Sequence, residues 1–253
     1  MTRYRATVEY DGTAYYGFQR QVATQKTIQG ELEQALFKLA QASIPITGAG
    51  RTDAAVHARG QVISFEFADW RHGAERLTRA LNSTLPRDIA VRDVATVHEQ
   101  FHPRYDAVRR GYRYTILNRP TPSPLRRHRS WHVRETLDVG AMNRAAERLI
   151  GERDFGTFGT PPQGSNTVRR LFKAEWRHAT DDELVFEIEG NAFLKRMVRS
   201  IVGTLRLVGN GSWTVDEFVE VLESAERGNA GPSAPPQGLV LEFVDYDGEV
   251  VSG

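Results

Sequence analysis

Residues 48–60 read GAGRTDAAVHARG and place Arg51 and Asp53 two positions apart, with His57 and Arg59 just beyond. Opposite charges so close together on a short stretch form a polar constellation able to do chemistry. Gly48 and Gly50 allow backbone angles and close approaches that other residues resist. Lying between an amphipathic helix and an alternating strand, the stretch reads as a loop, and functional side chains concentrate on loops held by rigid scaffolds. A surface turn in which Asp53 merely caps a short helix would use the same residues. Several other chemistries fit the chain poorly. GAG followed by RTD lacks the third glycine of a dinucleotide fingerprint, and no Gly-Lys-Ser/Thr follows to make a phosphate loop. No G-x-S-x-G elbow is present for a serine nucleophile. Glycoside hydrolysis needs two carboxylates, and this loop offers one. His128 and His132 are spaced like a zinc pair, but no second pair lies nearby and the chain has no cysteine, so no metal site is expected.

The elements that must position this loop can be read from periodicity and turn signals. Residues 3–10 form a strand ended by the Asp11-Gly12 turn. Residues 15–21, YYGFQRQ, form a loop in which Gln19, Arg20 and Gln21 could contact a substrate backbone. A helix over 27–42 carries Ile28, Leu32, Leu36 and Leu39 on one face, with Thr27 as N-cap. After the central loop, residues 61–67 alternate to give a strand whose apolar face is Ile63, Phe65 and Phe67. A short helix over 74–81 and a strand over 89–97 follow.

The second half repeats the strand-helix order, and its Tyr112-Arg113-x-Thr115-Ile116 resembles the opening Tyr4-Arg5-Ala6-Thr7-Val8. Residues 112–117 are strand-like, and Pro120, Pro122 and Pro124 mark a loop. Asp138 caps a helix running to Ile150, with Met142, Ala145 or Ala146, and Leu149 inward. Residues 153–167 are a loop, mobile by composition. Residues 168–178 and 183–189 make a hairpin. A helix over 191–208 carries an apolar stripe of Leu194, Met197, Val198, Ile201, Leu205 and Val208, with Lys195, Arg196, Arg199 and Arg206 opposite. Thr214 and Glu217 form a capping box opening the next helix, with Phe218, Val221, Leu222 and Ala225 inward.

At 253 residues the chain can bury a sizeable core as one large domain or as two halves, residues 1–100 and 101–253. No apolar run approaches the length of a membrane span, and no basic-then-apolar leader opens the chain. The lack of cysteine excludes disulfides and thiolate catalysis and fits a reducing cytoplasm. A net charge of +1 hides a strong asymmetry. Residues 101–134 hold nine Arg against Asp106, or +8, whereas residues 216–250 hold nine acids against Arg227, or −8. Of 33 basic residues 29 are Arg, whose planar fork suits phosphate and base edges, although a GC-rich genome gives the same bias. Interleaved with Tyr105, Tyr112, Tyr114 and Trp131, the basic segment suggests a nucleic-acid surface, with Arg109 and Arg110 among its candidate contacts.

GRTDAAVHA resembles the catalytic motif GRTDAGVHA of the tRNA pseudouridine synthase A family. The EYDG of residues 9–12 and the Tyr-rich run that follows resemble that family's EYDG and GWQRQ segments. NAFLKRMVRSIVG, residues 191–203, resembles its F-x-x-x-M-V-R-x-I-V-G element. PPQGLVLEFVDY, residues 235–246, resembles its terminal GL-x-L-x-x-V-x-Y strand. Ala55 stands where the family has glycine; if that position needs positive φ, alanine costs roughly 1 kcal/mol.

The resemblance implies an α+β fold of two similar halves, each a largely antiparallel sheet with helices on one face, the active cleft lying between them. It implies isomerisation of uridine to pseudouridine at positions 38–40 of tRNA, on a nucleotide flipped out of the anticodon stem-loop. Asp53 acts as nucleophile or as base at the ribose. Arg51 fills the vacated space, Arg199 pairs Asp53, and Tyr112 stacks on the uracil. No cofactor is implied, and the family is homodimeric. A non-catalytic tRNA-binding protein and a hydrolase of the uridine C–N bond remain as alternatives from other classes.

Overall fold

The structure is a computed structural model, and it describes residues 1–22, 24–68 and 70–247. Along the chain run β1 (Thr2–Tyr10), α1 (Ile28–Ala40), β2 (Thr47–Gly48), β3 (His57–Phe67), α2 (Gly73–Thr84) and β4 (Ile89–Thr96). Then come β5 (Ala107–Asn118), β6 (Trp131–Val133), α3 (Val139–Glu147), β7 (Gly151–Asp154), β8 (Val168–Thr180), β9 (Glu183–Gly190), α4 (Met197–Gly209), α5 (Val215–Ser224) and β10 (Leu239–Tyr246). The fold is α+β. Two compact units divide the chain: Met1–Val108 together with the segment from Leu241 on, and Arg109–Val240. Glu249, the last acid of the C-terminal excess, lies outside the described residues.

In the first unit the strands follow the order β4-β1-β3-β10, with β2 on β3. β1 buries Tyr4, Ala6, Val8 and Tyr10 in strict alternation and pairs antiparallel with both β3 and β4. α1 begins where the Thr27 hydroxyl accepts the Gly30 N–H, buries Ile28, Leu32, Ala35 and Leu36, and ends at Gln41 in the left-handed region. α2 packs against β4 and α1 through Leu77 and Leu81.

Two expectations change here. β3 starts at His57 rather than at residue 61, because the ladder with β1 continues past an irregularity, from Val8↔Gln61 to Tyr10↔Ala58. The central loop therefore shrinks to residues 49–56, and Gly48 belongs to β2, opposite Ile63. The strand also has no wet face: along β3 only Arg59 and Glu66 are exposed, and Val62 and Ser64 are buried like their neighbours. Alternation of residue type marks which side chains share a face, but neighbouring elements decide whether that face meets water.

In the second unit the order is β5-β9-β8-β7, with β6 parallel to β5. β9 pairs antiparallel on both sides, placing Tyr112 opposite Ile188 and Trp176 opposite Phe186. Trp176 and Phe186 stack at 4.9 Å. Asp138 accepts the Ala141 N–H at 2.9 Å to cap α3, which buries Met142, Ala145 and Ala146 together. The Thr214–Glu217 capping box closes reciprocally at the start of α5.

Two further corrections fall in this unit. The helix expected over 191–208 begins only at Met197. Asn191 N–H is drawn to Arg170 O at 3.0 Å and Lys195 N–H to Thr160 O at 2.9 Å, and Arg196 turns left-handed, so the preceding residues serve other partners. The first part of the expected loop, residues 155–158, is also not loose, whereas residues 162–166 are exposed and irregular. Phe155, Thr157 and Phe158 are fully buried, Phe158 stacks on Phe218 at 6.0 Å, and the Thr157 hydroxyl donates to Val221 O at 2.9 Å. Composition reports backbone freedom, but two phenylalanines with somewhere to go override it. Phe158→Ala should therefore cost about 3–5 kcal/mol in a denaturant titration, as for other buried aromatics. A change near zero would return this segment to a mobile loop.

Candidate active site

The turn carrying Asp53 is held by neighbouring backbone rather than by its own sequence. Ala49 N–H donates to Val62 O at 2.8 Å, and the buried Gln61 amide donates to Gly50 O at 3.0 Å, fixing the approach along β3. Thr52 is 7% exposed; its hydroxyl lies 2.8 Å from the Tyr10 hydroxyl and its carbonyl accepts the Phe18 N–H at 3.1 Å. Val56 N–H donates to Asp53 O, closing a four-residue turn, and Ala55 N–H donates to Tyr15 O, each at 3.2 Å. Of the two central residues only Ala55 has positive φ, 61°, the pattern of a type II turn whose third position favours glycine.

Two glycines let the segment after β1 reach this turn. A Cβ on Gly12 would stand 2.0 Å from the Val56 carbonyl oxygen. One on Gly17, where φ is 97°, would stand 2.7 Å from the Thr52 carbonyl oxygen. Side chains at either position would push the two backbones apart. His57 is buried behind the turn, and Gly12 N–H donates to its Nδ1 at 3.1 Å. Asp11 Oδ1 also lies 3.1 Å from Nδ1. One nitrogen cannot accept the Gly12 proton and donate to Asp11 at once, and Asp11 Oδ1 already accepts from the Thr13 N–H and hydroxyl. The Gly12 bond is therefore the one that orders the loop. With Thr52 and His57 buried, Arg51 is exposed and Asp53 half-buried.

Along residues 15–21, Tyr15 is buried and its hydroxyl donates to Asp88 at 2.6 Å. Burial first, and then the Asp88 carboxylate, push that phenol far above its ordinary value, so it stays a donor. Gln19 is exposed. Arg20 is tied to α1, its guanidinium to Glu33 and its N–H to Gln29, both at 2.9 Å, with the side chain still 67% exposed.

The second unit carries the remaining candidates. Tyr112, on β5, is half-buried and meets Phe193 edge-on at 4.9 Å. Arg199 is half-buried in the first turn of α4, its Nε donating to Ala234 O at 2.7 Å. Arg109 is exposed and paired with Glu189 at 3.1 Å. Arg110 is buried, its guanidinium donating to Asn191 O at 2.6 Å. Arg51, Asp53, Gln19 and Arg20 thus share the first unit, and Tyr112, Arg109, Arg110 and Arg199 share the second.

The basic run of residues 101–134 is partly neutralised within its own unit. Arg113 meets Glu187 at 3.7 Å, Arg119 meets Asp182 at 2.8 Å, and Arg126 meets Glu183. Hydrogen bonds from Lys173 and then Arg177 hold the Glu187 carboxyl at about 2, well below the usual range. Charge counted along the sequence therefore overstates the surface field, because β9 returns carboxylates to the arginines of β5. Arg127, Arg129 and Arg134 remain exposed. Among the described residues no cluster of three His, Cys, Asp or Glu could hold a metal, and no helix is long and apolar enough to cross a membrane.

Periodicity and composition left the clamp out. Gly12, in the Tyr10-Asp11-Gly12 turn, and Gly17, after Tyr15-Tyr16, were its one visible signal; the Tyr10–Thr52 contact has none, since its partners are distant in sequence.

The model of the family described as tRNA pseudouridine synthase matches residues 6–106 and 145–247. The chain is 42% identical over 254 residues to "tRNA pseudouridine synthase A" of Rhodospirillum rubrum, covering 100% of this chain and 90% of that protein. It is 44% identical over 247 residues to the protein of the same name in Myxococcus xanthus, covering 97% and 92%. Among solved structures, an archaeal box H/ACA sRNP Nop10-Cbf5 complex aligns with a TM-score of 0.36 at 11% identity, over 89% of this chain and 59% of that one. A likeness that weak carries no argument.

Ala55→Gly should raise stability by ~0.5 kcal/mol, the relief of a left-handed alanine less the extra freedom glycine gives the unfolded chain. Thermal or denaturant unfolding checks this; a destabilised variant would mean that the turn does not hold Ala55 at positive φ.

Proposed function

The chain belongs to the tRNA pseudouridine synthase family, and we propose that the uridines it isomerises are those at positions 38–40, in the anticodon stem-loop. The reaction, conversion of uridine to pseudouridine in tRNA, is that of the family. It breaks the bond from ribose C1′ to uracil N1, makes the bond from C1′ to C5, releases the proton of C5 to water and takes up one at N1. The base returns to the same sugar, so no water has to be activated and bond energy is only redistributed. That is chemistry for one carboxylate without a cofactor.

The assignment to Asp53 rests on one observation: the backbone on either side of it is fastened, at Thr52 by Tyr10 and Phe18 and at Ala55 by Tyr15. A nucleophile or base gains most from a backbone that cannot drift, since misplacement by about 1 Å can cost about a hundredfold in rate. Uridines in the anticodon stem-loop are partly paired and stacked, so the nucleotide must leave the stack before a side chain can reach it. Arg51, exposed and two residues before Asp53, is suited to enter the space the base vacates. Arg199 supplies the counter-charge that keeps the carboxylate ionised. Tyr112, held edge-on by Phe193, stacks on the flipped uracil, a contact worth about 1–3 kcal/mol, and its phenol assists removal of the C5 proton.

Around that centre, exposed Gln19, Arg20 and Arg109 bind the tRNA backbone, aided by Arg127, Arg129 and Arg134. Arg110 acts from within, its guanidinium tying β5 to Asn191, just after β9. The working form we propose is a cytoplasmic homodimer, since a pair of chains presents a longer basic surface to tRNA than one.

Asp53→Asn keeps size and hydrogen bonding but loses charge and nucleophilicity. It should bind tRNA almost normally and form no pseudouridine; turnover at even about a tenth of the normal rate would remove Asp53 from the chemistry. Tritium at C5 of uridine gives a second measurement. Each turnover should release one label to water while the tRNA keeps every base, with no added metal or nucleotide and undisturbed by a chelator. A hydrolase would release labelled uracil, and a binding protein would release nothing.

A further inference from the structure

Arg199 lies in the first turn of α4, where a positive charge opposes the helix dipole, and α4 opens at Arg196 without a side-chain cap. Something other than the helix holds the guanidinium there. Its Nε donates to Ala234 O at 2.7 Å, and Ala234 N–H donates back to Arg199 O at 2.9 Å. The next carbonyl, that of Pro235, accepts the hydroxyl of Tyr114 at 2.7 Å. Tyr114 is 0% exposed, two residues beyond Tyr112 on β5, with its ring edge-on to Trp131 at 6.4 Å.

The strap formed by residues 231–236 is otherwise fastened to α4 itself. Gly231 N–H donates to the Thr204 hydroxyl at 3.0 Å, and the Ser233 and Ser200 hydroxyls lie 3.0 Å apart. Pro232 O sits so close over Gly203 that a Cβ there would be 1.8 Å away. Pro235 and Pro236 stiffen the end that Tyr114 holds. Burial pushes the Tyr114 phenol far above its ordinary value while the positive charge of Arg199 pulls the other way. The phenol therefore remains a proton donor, and the guanidinium is within electrostatic reach of it.

We propose that Tyr114 is a positioning residue for the isomerisation: its hydroxyl fixes the Ala234–Pro235 carbonyls, and these aim the Arg199 guanidinium. The proposal rests on the reading of Arg199 as the counter-charge of Asp53. With Nε engaged by Ala234, a carboxylate is met through Nη1 and Nη2, and a strap that shifts by a fraction of an ångström moves both. Tyr114 touches neither substrate nor reacting atom; it acts through Arg199.

Tyr114→Phe removes one oxygen and keeps the ring. In a tRNA turnover assay kcat should fall about tenfold, with KM for tRNA changed less than about twofold. The acid limb should move to higher pH, as it should in Arg199→Met, which removes the counter-charge altogether, because a weaker counter-charge raises the pKa of the carboxylate that must be ionised. Of the other titratable or charged groups, Arg51, His57 and Asp11 lie around the Asp53 loop and Arg227 donates to Ser200 on α4; none is altered. If Tyr114 acts through Arg199, the double variant should be no slower than Arg199→Met alone.

Normal kcat in Tyr114→Phe, a loss confined to KM, an unmoved acid limb, or losses that multiply in the double variant would each overturn the proposal. An impaired Arg199→Met beside an unimpaired Tyr114→Phe would leave the counter-charge reading standing and remove Tyr114 alone. An unimpaired Arg199→Met would remove both. Should Tyr114→Phe fail to fold, Pro235→Ala loosens the strap with the core ring in place; it must show the same acid-limb shift, and a limb that stays put overturns the proposal.

Discussion

Much of the first unit follows from two backbones that approach more closely than side chains allow. The Val56 and Thr52 carbonyls press on Gly12 and Gly17, where a single methyl would stand within 3 Å of them. That approach lets Phe18 N–H donate to Thr52 O and Ala55 N–H to Tyr15 O. It also puts Gly12 N–H on His57 as β3 begins. The turn is thus part of a small network in which β1, its following segment and β3 fix one another. The left-handed alanine at residue 55 is tolerable because this network over-determines the backbone around it.

A different logic governs the second unit, where charges are settled in pairs before they meet any ligand. β9 sets Glu187 and Glu189 beside arginines of β5 and its first residue, Glu183, beside Arg126, and the turn before it offers Asp182 to Arg119. Paired surface charges contribute little to stability, but they fix long side chains and flatten the field that a linear count of charges suggests. Arg199 belongs to the same economy of orientation: its guanidinium is steered by a backbone carbonyl rather than by a helix that would disfavour it.

Some features were legible because their causes are local. Thr27, Asp138 and the Thr214–Glu217 box cap their helices as their side-chain chemistry requires, within three residues of the groups they satisfy. The stripe of Met197, Val198, Ile201, Leu205 and Val208 is buried as its spacing demanded. The motif around Asp53 and the family to which it points were likewise readable from residue identity and order.

The rest depended on partners far away in the chain. Helical spacing continued back to residue 191, but Arg170 and Thr160 drew that backbone elsewhere. The segment around Phe158 looked loose until its ring found Phe218. The positive φ of Ala55, the wrapping of both faces of β3 and the strap that aims Arg199 have no local signature. Caps, turns and periodic faces are settled by neighbours a few residues apart, so the sequence alone determined them, and residue order alone carried the family. Where backbones press together, and which carbonyl a guanidinium finds, are settled by contacts that exist only once the chain has folded, and the tertiary structure alone decided those.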